Sequence, residues 1–331
     1  MNQWNTLLLT IVGLACALLP QQQTTAQQTT AQQNVAQQAV STPEKQAVNP
    51  PATPDLNAPG VVALNPAKTL FLEKEKQRLL LKTEVVLQEG VLELFCCLKG
   101  TKHHESILAW EGEAFLVHTG LLALGCQPGK PVQFGPEFQP PTGQKLDLFI
   151  NWTVKGKAHR VNARQWMQTV TRRYFTAKLA QLPSELATKI DPERTVQRPF
   201  PESIELKYDS KNHELYFFGS MTKQELKQLQ ALSVDKVYQK AIQNLFDQSQ
   251  PSPFEANWVF AGSGTWKDEK TGKAMYDAEV GDLICVSNFP SATIDVAQQS
   301  SASQGEWLYE SKSSVVPPLG TKVILEIIKV K

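Results

Sequence analysis

The residues that could do chemistry are concentrated between positions 90 and 132 of this sequence. The stretch combines thiols, imidazoles, an amine and a carboxylate around two short apolar segments. Its candidate ligands and proton carriers are Cys96, Cys97, Lys102, His103, His104, Glu105, His118 and Cys126. No other part of the chain gathers as many groups of this kind, so a functional site is first expected here.

Four of these residues could act as acids and bases. In an extended segment adjacent side chains face opposite sides, so Lys102 and His104 would share one face while His103 and Glu105 share the other. An imidazole titrates near pH 6.5 and its pKa shifts easily. A Lys102/His104 pair facing His118 on a following helix could therefore move protons. The alternative is a hydrogen-bonded cluster that anchors a loop onto that helix. The candidate catalytic residues are Lys102, His104, Glu105 and His118.

The same region offers a metal site. His104, Glu105 and His118 supply nitrogen and oxygen ligands that zinc accepts in tetrahedral geometry. Their spacing differs from the His-x-x-x-His pattern of a helical zinc motif. The five cysteines include no Cys-x-x-Cys pair, so an iron–sulfur cluster is not expected. No cofactor is identified, and zinc is the metal that these residues would suit.

Charge composition limits the partners. The chain has 33 lysines and arginines against 32 acidic residues, so no overall field favours nucleic acid, and none is predicted as a partner. Basic residues from 155 to 178 alternate with aromatic ones. The simplest interpretation is a solvated face, and the alternative for an exported protein is contact with an anionic glycan or lipid surface.

The first residues indicate export. Positions 7–19 form an uninterrupted apolar run, shorter than the ~20 residues of a usual membrane span and typical of a signal peptide. We predict a signal peptide over 1–20 and a periplasmic or cell-surface location, with membrane contact only through this segment. Lipidation of Cys16 would anchor the chain, and a buried structural helix is the third alternative.

Residues 21–65 are rich in glutamine, threonine, alanine and proline. Such a composition buries too little apolar surface to offset the entropy of ordering. We predict a disordered linker that acts as a stalk, with a glutamine-rich adhesive tract as the alternative.

The remainder predicts an α+β fold. Short strands precede a helix at 114–124 that should end at Gly125, and a hairpin is expected around Lys155-Gly156. Further strands are expected at 257–262, 282–288, 307–310 and 321–329. A small ββα or helical module, whose helix opens with a Thr222/Glu225 capping box, interrupts this β-rich domain. The predicted parts are 66–170, the inserted module at 171–252, and 253–331, with one or two short helices in the β-rich part. The module is given a structural or partner-binding role.

Seven motifs follow one another along the chain: GVLELF at 90–95, TKHHES at 101–106, LLALG at 121–125, PGKPV at 128–132, WVFAGSG at 258–264, CVSNFP at 285–290 and PPLGT at 317–321. Taken in this order, they resemble the YdjY family. The match begins near Asn65, resumes after the insertion, and looks closest to exported members. The family pattern looks like Thr-Lys-Glu-His-Glu where this chain has His103 in place of the first glutamate. The resemblance implies no particular reaction.

The resemblance also bears on the cysteines. Cys97 and Cys285 both match family positions, and a disulfide between them would join the two halves of the domain across the insertion. Disulfides persist in the oxidising space that export implies. Buried free thiols that pack as small apolar groups are the first alternative, and a reactive redox thiol is the second.

The predicted function is that of an exported, non-enzymatic cell-envelope protein with a binding or assembly role. Its partner would be an unknown envelope component or ligand. The alternative is a metal- or redox-dependent protein or enzyme that uses Lys102, His104, Glu105 and His118.

Overall fold

The computed structural model describes residues 53–186, 206–300 and 308–331. The predicted signal peptide, Cys16 and most of the predicted linker lie outside these ranges. The end of the linker lies inside them, and it contains a short strand at Val61–Ala63 that pairs with Leu70–Glu73.

Most regular elements in the described ranges are strands. In chain order these are β1 (Val61–Ala63), β2 (Leu70–Glu73), β3 (Arg78–Val85), β4 (Val91–Leu92), β5 (Leu94–Leu98), β6 (Ser106–Trp110), β7 (Lys145–Val154), β8 (Lys157–Asn162), β9 (Met167–Thr169), β10 (Tyr174–Lys178), β11 (Leu206–Asp209), β12 (Glu214–Phe218), β13 (Trp258–Phe260), β14 (Thr265–Lys267), β15 (Ala274–Tyr276), β16 (Ile284–Cys285), β17 (Ile294–Val296), β18 (Tyr309–Ser311) and β19 (Lys322–Lys329). The α-helices of these ranges are α1 (Ala114–Ala123), α2 (Lys223–Gln230) and α3 (Lys236–Ser249). Short 3-10 turns lie at His103–Glu105, Ala163–Trp166, Ser184–Leu186 and Asp277–Val280.

Eight strands close into a barrel. Their order is β3-β19-β7-β13-β17-β16-β5-β6, and β6 pairs with β3 to complete the circle. The β5–β6 and β16–β17 pairs are parallel and the others are antiparallel. Strands β1 and β2 extend from β3, and β8 pairs with β7. Closure pairs each barrel strand on both sides, which removes free strand edges.

The α+β prediction is therefore wrong, because the fold is mostly β and the described helices are three short ones. Several barrel strands have only two or three residues, among them β13, β16 and β17. Strands this short carry almost no periodic signal. Their pairing comes from closure of the barrel, which joins segments distant in sequence.

The barrel interior holds the main core. Alternate residues of β7, namely Leu146, Leu148 and Ile150, are buried inside, as expected from the two-residue period of a strand. Trp258 of β13 packs in the same core. Helix α1 adds Leu121 to it, so the helix adjoining the motif-rich region is fixed by apolar burial.

Two local predictions are confirmed. Helix α1 ends at Ala123, and Gly125 adopts a φ of 72°, a left-handed conformation that glycine adopts without a steric cost. Strands β7 and β8 form the expected hairpin around Lys155 and Gly156. None of the helices in the described ranges combines the length and apolar character needed to cross a membrane.

A second, smaller core belongs to the module. Strands β10, β12 and β11 form an antiparallel sheet, and apolar residues of this sheet and of α2 and α3 pack into a separate cluster. The predicted capping box is confirmed, because Glu225 N donates to Thr222 Oγ1 at 3.1 Å and Thr222 N donates to Glu225 Oε2 at 2.7 Å.

Candidate functional site

The Lys102–Glu105 segment is a turn, not an extended strand. The chain leaves β5, turns at Gly100 with a φ of 83°, and forms the 3-10 turn His103–Glu105 before β6 begins. The expectation that side chains alternate between two faces is therefore wrong for this segment. The turn instead brings Lys102 Nζ to 3.7 Å from Glu105 Oε1.

Lys102 neutralises a buried carboxylate. Its Nζ lies 2.8 Å from Oδ1 of Asp282, a residue that is 2% exposed, and 4.5 Å from the ring centroid of Phe289. Burial by itself would lower the pKa of Lys102, but the hydrogen bond and charge of Asp282, with the charge of Glu105, outweigh it and raise the pKa. The ammonium is thus held charged between two acidic groups.

Two further carboxyl groups surround this ion pair. Burial, then the charge of Glu105 and a hydrogen bond to it, raise the pKa of Glu93. Burial raises the pKa of Asp295 to about 8, although its carboxyl accepts hydrogen bonds from Val296 N, Asn288 Nδ2 and Phe289 N. We call Lys102, Glu93, Glu105, Asp282 and Asp295 the Lys102 cluster.

Cys97 and Cys285 are buried near this cluster. Cys96 packs into the main core, whereas Cys97 and Cys285 share a small apolar group with Leu94, Ala109 and Ala292. The opposite orientation of Cys96 and Cys97 agrees with the alternation expected for a strand. The thiols of Cys97 and Cys285 are free, and burial is the main cause that raises the pKa of each. Both residues of the predicted disulfide therefore lie in one cluster as protonated thiols.

The two remaining predicted residues have different surroundings. The His104 side chain is 79% exposed, and its Nε2 lies 3.6 Å from Glu105 Oε2. His118 lies on α1, where its Nδ1 is 2.9 Å from the hydroxyl of Tyr276 and its ring packs edge-on against Phe260. Burial lowers the pKa of His118. The structure thus joins His104 to the Lys102 cluster and gives His118 its own partners.

The predicted zinc ligands do not converge. Within residues 53–186, 206–300 and 308–331, no group of three or more His, Cys, Asp or Glu side chains is placed to hold a metal ion. His104, Glu105 and His118 therefore do not form the tetrahedral set that zinc requires.

A groove of about 760 Å³ lies on the outer surface of the barrel beside the 3-10 turn. Its lining comes from β3, β6, β7 and β19, from the turn after β5, and from the first described residues, Thr53 and Leu56. His103 lines it, whereas none of the Lys102 cluster does. The charged residues of its lining are Lys82, Glu84, Lys99, Glu111 and Lys322.

Strand register places these side chains in rows across the barrel surface. Lys82 of β3 is opposite Ile324 of β19, which is opposite Asn151 of β7. In the next row Glu84 of β3 is opposite Lys322. Because alternate residues of β3 point inward, Lys82 and Glu84 must point outward. The floor of the groove is therefore set by the pairing of the barrel strands.

The groove has more positive than negative charge. Lys322 pairs with Glu84, and Lys99 Nζ lies 2.7 Å from Glu111 Oε2. Among the described residues Lys82 has no carboxylate within ion-pair distance, and its ammonium lies 5.2 Å from the ring centroid of Phe71. With three lysines against two glutamates, the lining carries one net positive charge when His103 is neutral.

Comparison with protein families identifies the domain. The model of the YdjY domain matches residues 70–179 and 209–328, which together make up well over half of the chain. The chain belongs to the YdjY domain family. The second matched segment begins inside the predicted insertion. Comparison with curated proteins and with solved structures finds no match.

The groove of this YdjY domain was not predicted from the sequence. Its residues come from strands at both ends of the chain, so no compact motif marks it. One signal was present: the second half of β3 alternates the charged residues Lys82 and Glu84 with the buried residues Leu81, Thr83 and Val85. Leu80 interrupts this alternation in the first half, and the pattern does not show which strands complete a groove.

Proposed function

We propose that this YdjY-domain protein is an exported cell-envelope protein that binds a polar ligand in the groove on the outer surface of its barrel. The observation that carries the proposal is the groove of about 760 Å³ with charged side chains along it. Pockets of several hundred Å³ with a few convergent polar groups are the usual form of ligand sites.

Binding is preferred to catalysis because Lys102, the amine among the candidate acid–base groups, is held by its own carboxylate partners outside the groove. Lys102 is paired with Asp282 and Glu105, and none of the Lys102 cluster lines the groove. A catalytic acid or base must reach a substrate within hydrogen-bond distance. The exposed charged side chains of the groove can come within hydrogen-bond distance of a ligand, whereas the Lys102–Asp282 pair cannot.

Export is proposed on the sequence of the first residues. The apolar run at 7–19 followed by a polar, glutamine-rich stretch is the order of a signal peptide and a linker. A fusion of residues 1–52 to a reporter enzyme that is active only outside the cytoplasm tests this. Activity lost when Leu8 and Leu9 are changed to Asp supports export, and an inactive fusion contradicts it.

Groove binding is tested with the full-length protein and a fixed set of soluble probes: cellohexaose, hexagalacturonate, its methyl ester, and a decapeptide of alanine and lysine. Isothermal titration calorimetry measures the affinity for each. Thr153→Trp places a large ring in the groove, because Thr153 is exposed there on β7. Strands accept tryptophan well.

The matched control is Thr176→Trp, a threonine on β10 of the module that does not line the groove. We expect at least one probe to bind, Thr153→Trp to weaken that binding at least tenfold, and Thr176→Trp to leave it unchanged. The proposal is overturned if no probe binds, or if binding is unaffected by Thr153→Trp.

A further inference from the structure

The groove is elongated across the strands. It runs from Thr153 on β7 across β19, β3 and β6 to Lys99, which follows β5. Neighbouring strands lie about 4.8 Å apart, so five strands span roughly 19 Å. This length suits a chain molecule of several units better than a compact one.

The floor offers side chains but no strand edge. Strand β19 pairs with both β3 and β7, and β6 pairs with both β3 and β5. Because the backbone N–H and C=O groups of these strands are used inside the sheet, an extended peptide cannot add to it as a further strand. Recognition in the groove must come from side chains.

The lining is amphipathic. Hydroxyls line it at Thr53, Thr69 and Thr153, beside apolar groups at Leu56, Val86, Ala109 and Ile324. Thr53 Oγ1 and Thr153 Oγ1 lie 2.9 Å apart. This bond leaves both hydroxyls with accepting capacity. A sugar ring has the same two-sided character, because its C–H face can lie on aliphatic groups while its hydroxyls reach the threonines.

The charges favour an acidic ligand. Lys82 has no carboxylate partner among the described residues, and the two ion pairs of the groove are exposed, with Lys322 and Lys99 side chains 76% and 56% accessible. Exposed ion pairs contribute little net stability, so a ligand carboxylate can compete for these ammonium groups. Three lysines are too few for a nucleic acid, whose affinity comes from many phosphate contacts.

We propose that the groove takes a carboxylated oligosaccharide, with the sugar rings across the strands and a carboxylate at Lys82. This rests on the proposed function of the groove as the ligand site.

The test compares hexagalacturonate with its methyl ester, which keeps the same sugar chain and removes the negative charges. Calorimetry with the full-length protein at low ionic strength should give an affinity for the acid at least tenfold higher than for the ester. Raising the salt concentration should reduce the difference, because exposed charges are screened. Lys82→Gln should weaken binding of the acid about fivefold and leave binding of the ester unchanged.

The matched control is Lys227→Gln, an exposed lysine of α2 in the module, which removes the same charge from the protein and should leave both affinities unchanged. If the acid and the ester bind with equal affinity and Thr153→Trp abolishes both, the proposal of an acidic ligand is overturned. The proposal that the groove is a binding site then stands. If only cellohexaose or only the decapeptide binds, and Thr153→Trp weakens that binding, the acidic ligand is likewise overturned while the groove remains a binding site. An equal loss in Lys82→Gln and Lys227→Gln overturns the role of Lys82.

Discussion

The Lys102 cluster and the groove adjoin the same 3-10 turn but use their charges in opposite ways. Lys102 lies between Asp282 and Glu105, so its charge neutralises groups inside the protein. His103, the next residue, lines the groove, where Lys82 has no carboxylate partner among the described residues. The comparison shows that a residue type does not define a role. Burial beside an opposite charge makes a lysine structural, and exposure in a concave surface leaves it available to a ligand.

The largest expected difference between the two regions is in thiol reactivity. Cys97 and Cys285 are buried beside the Lys102 cluster, and burial raises the pKa of each. Because the thiolate is the reactive form, they should react with Ellman's reagent only as the protein unfolds, at least about 10³-fold more slowly than an exposed thiol. A Lys82→Cys variant in the groove provides the exposed reference in the same protein.

The rate for the buried thiols should rise steeply as urea approaches the unfolding midpoint, while the rate at position 82 should not. Rapid reaction of any of the four described thiols, Cys96, Cys97, Cys126 and Cys285, in the folded protein would contradict the buried arrangement.

Loss of Lys102 should cost more stability than loss of Lys82. Lys102→Met leaves the buried Asp282 carboxylate without its ion-pair partner, and breaking a buried pair in this way costs about 3 kcal/mol. Lys82→Met breaks no ion pair among the described residues and should change the free energy of unfolding by less than about 0.5 kcal/mol. Urea unfolding of both variants measures the difference. Equal effects would remove the distinction between the two regions.

The Lys102 cluster should also make stability depend on pH. Burial raises the pKa of Asp295 to about 8, well above the 3.8 that is usual for an aspartate. The stabilising contribution of its protonated form is therefore complete below about pH 4 and is lost as pH rises through about 8. The free energy of unfolding of the wild type should fall by at least about 1 kcal/mol between pH 6 and pH 9.

Asp295→Asn should remove most of that fall, because an amide stays neutral throughout. The groove variant Lys82→Gln should retain the wild-type profile. If the free energy of unfolding of Asp295→Asn falls with pH as much as that of the wild type, another group is responsible for the fall.

The smallest expected effect distinguishes neighbouring histidines. His103→Glu reduces the positive charge of the groove and should weaken binding of hexagalacturonate by about two- to threefold. His104→Glu makes the same change at a side chain that is 79% exposed and does not line the groove, so its affinity should match that of the wild type. Calorimetry measures the affinity of both variants for hexagalacturonate. An equal loss of affinity in the two variants would indicate a general effect of protein charge.

Local features of the fold could be predicted because their causes lie within a few residues. The end of α1 follows from a glycine at 125, the β7–β8 hairpin from Lys155-Gly156, and the start of α2 from Thr222 and Glu225. The strand expected at 282–288 is observed only as Ile284–Cys285. Its neighbours in the barrel, β5 and β17, come from other parts of the chain. The length of this strand therefore depends on tertiary pairing, which the local hydrophobic pattern does not show.

The sequence by itself determined the membership of the YdjY family and the local turns and caps. Only the tertiary structure decided that the barrel closes, that Asp282 is the partner of Lys102, and that His103, Lys82 and Lys322 line one groove. The physical reason is that caps and turns depend on neighbouring residues, whereas burial and charge pairing depend on strands that are distant in the chain. Asp282 is far from Lys102 in the sequence, and Lys322 is far from Lys82, although each pair of residues lies in one region of the fold.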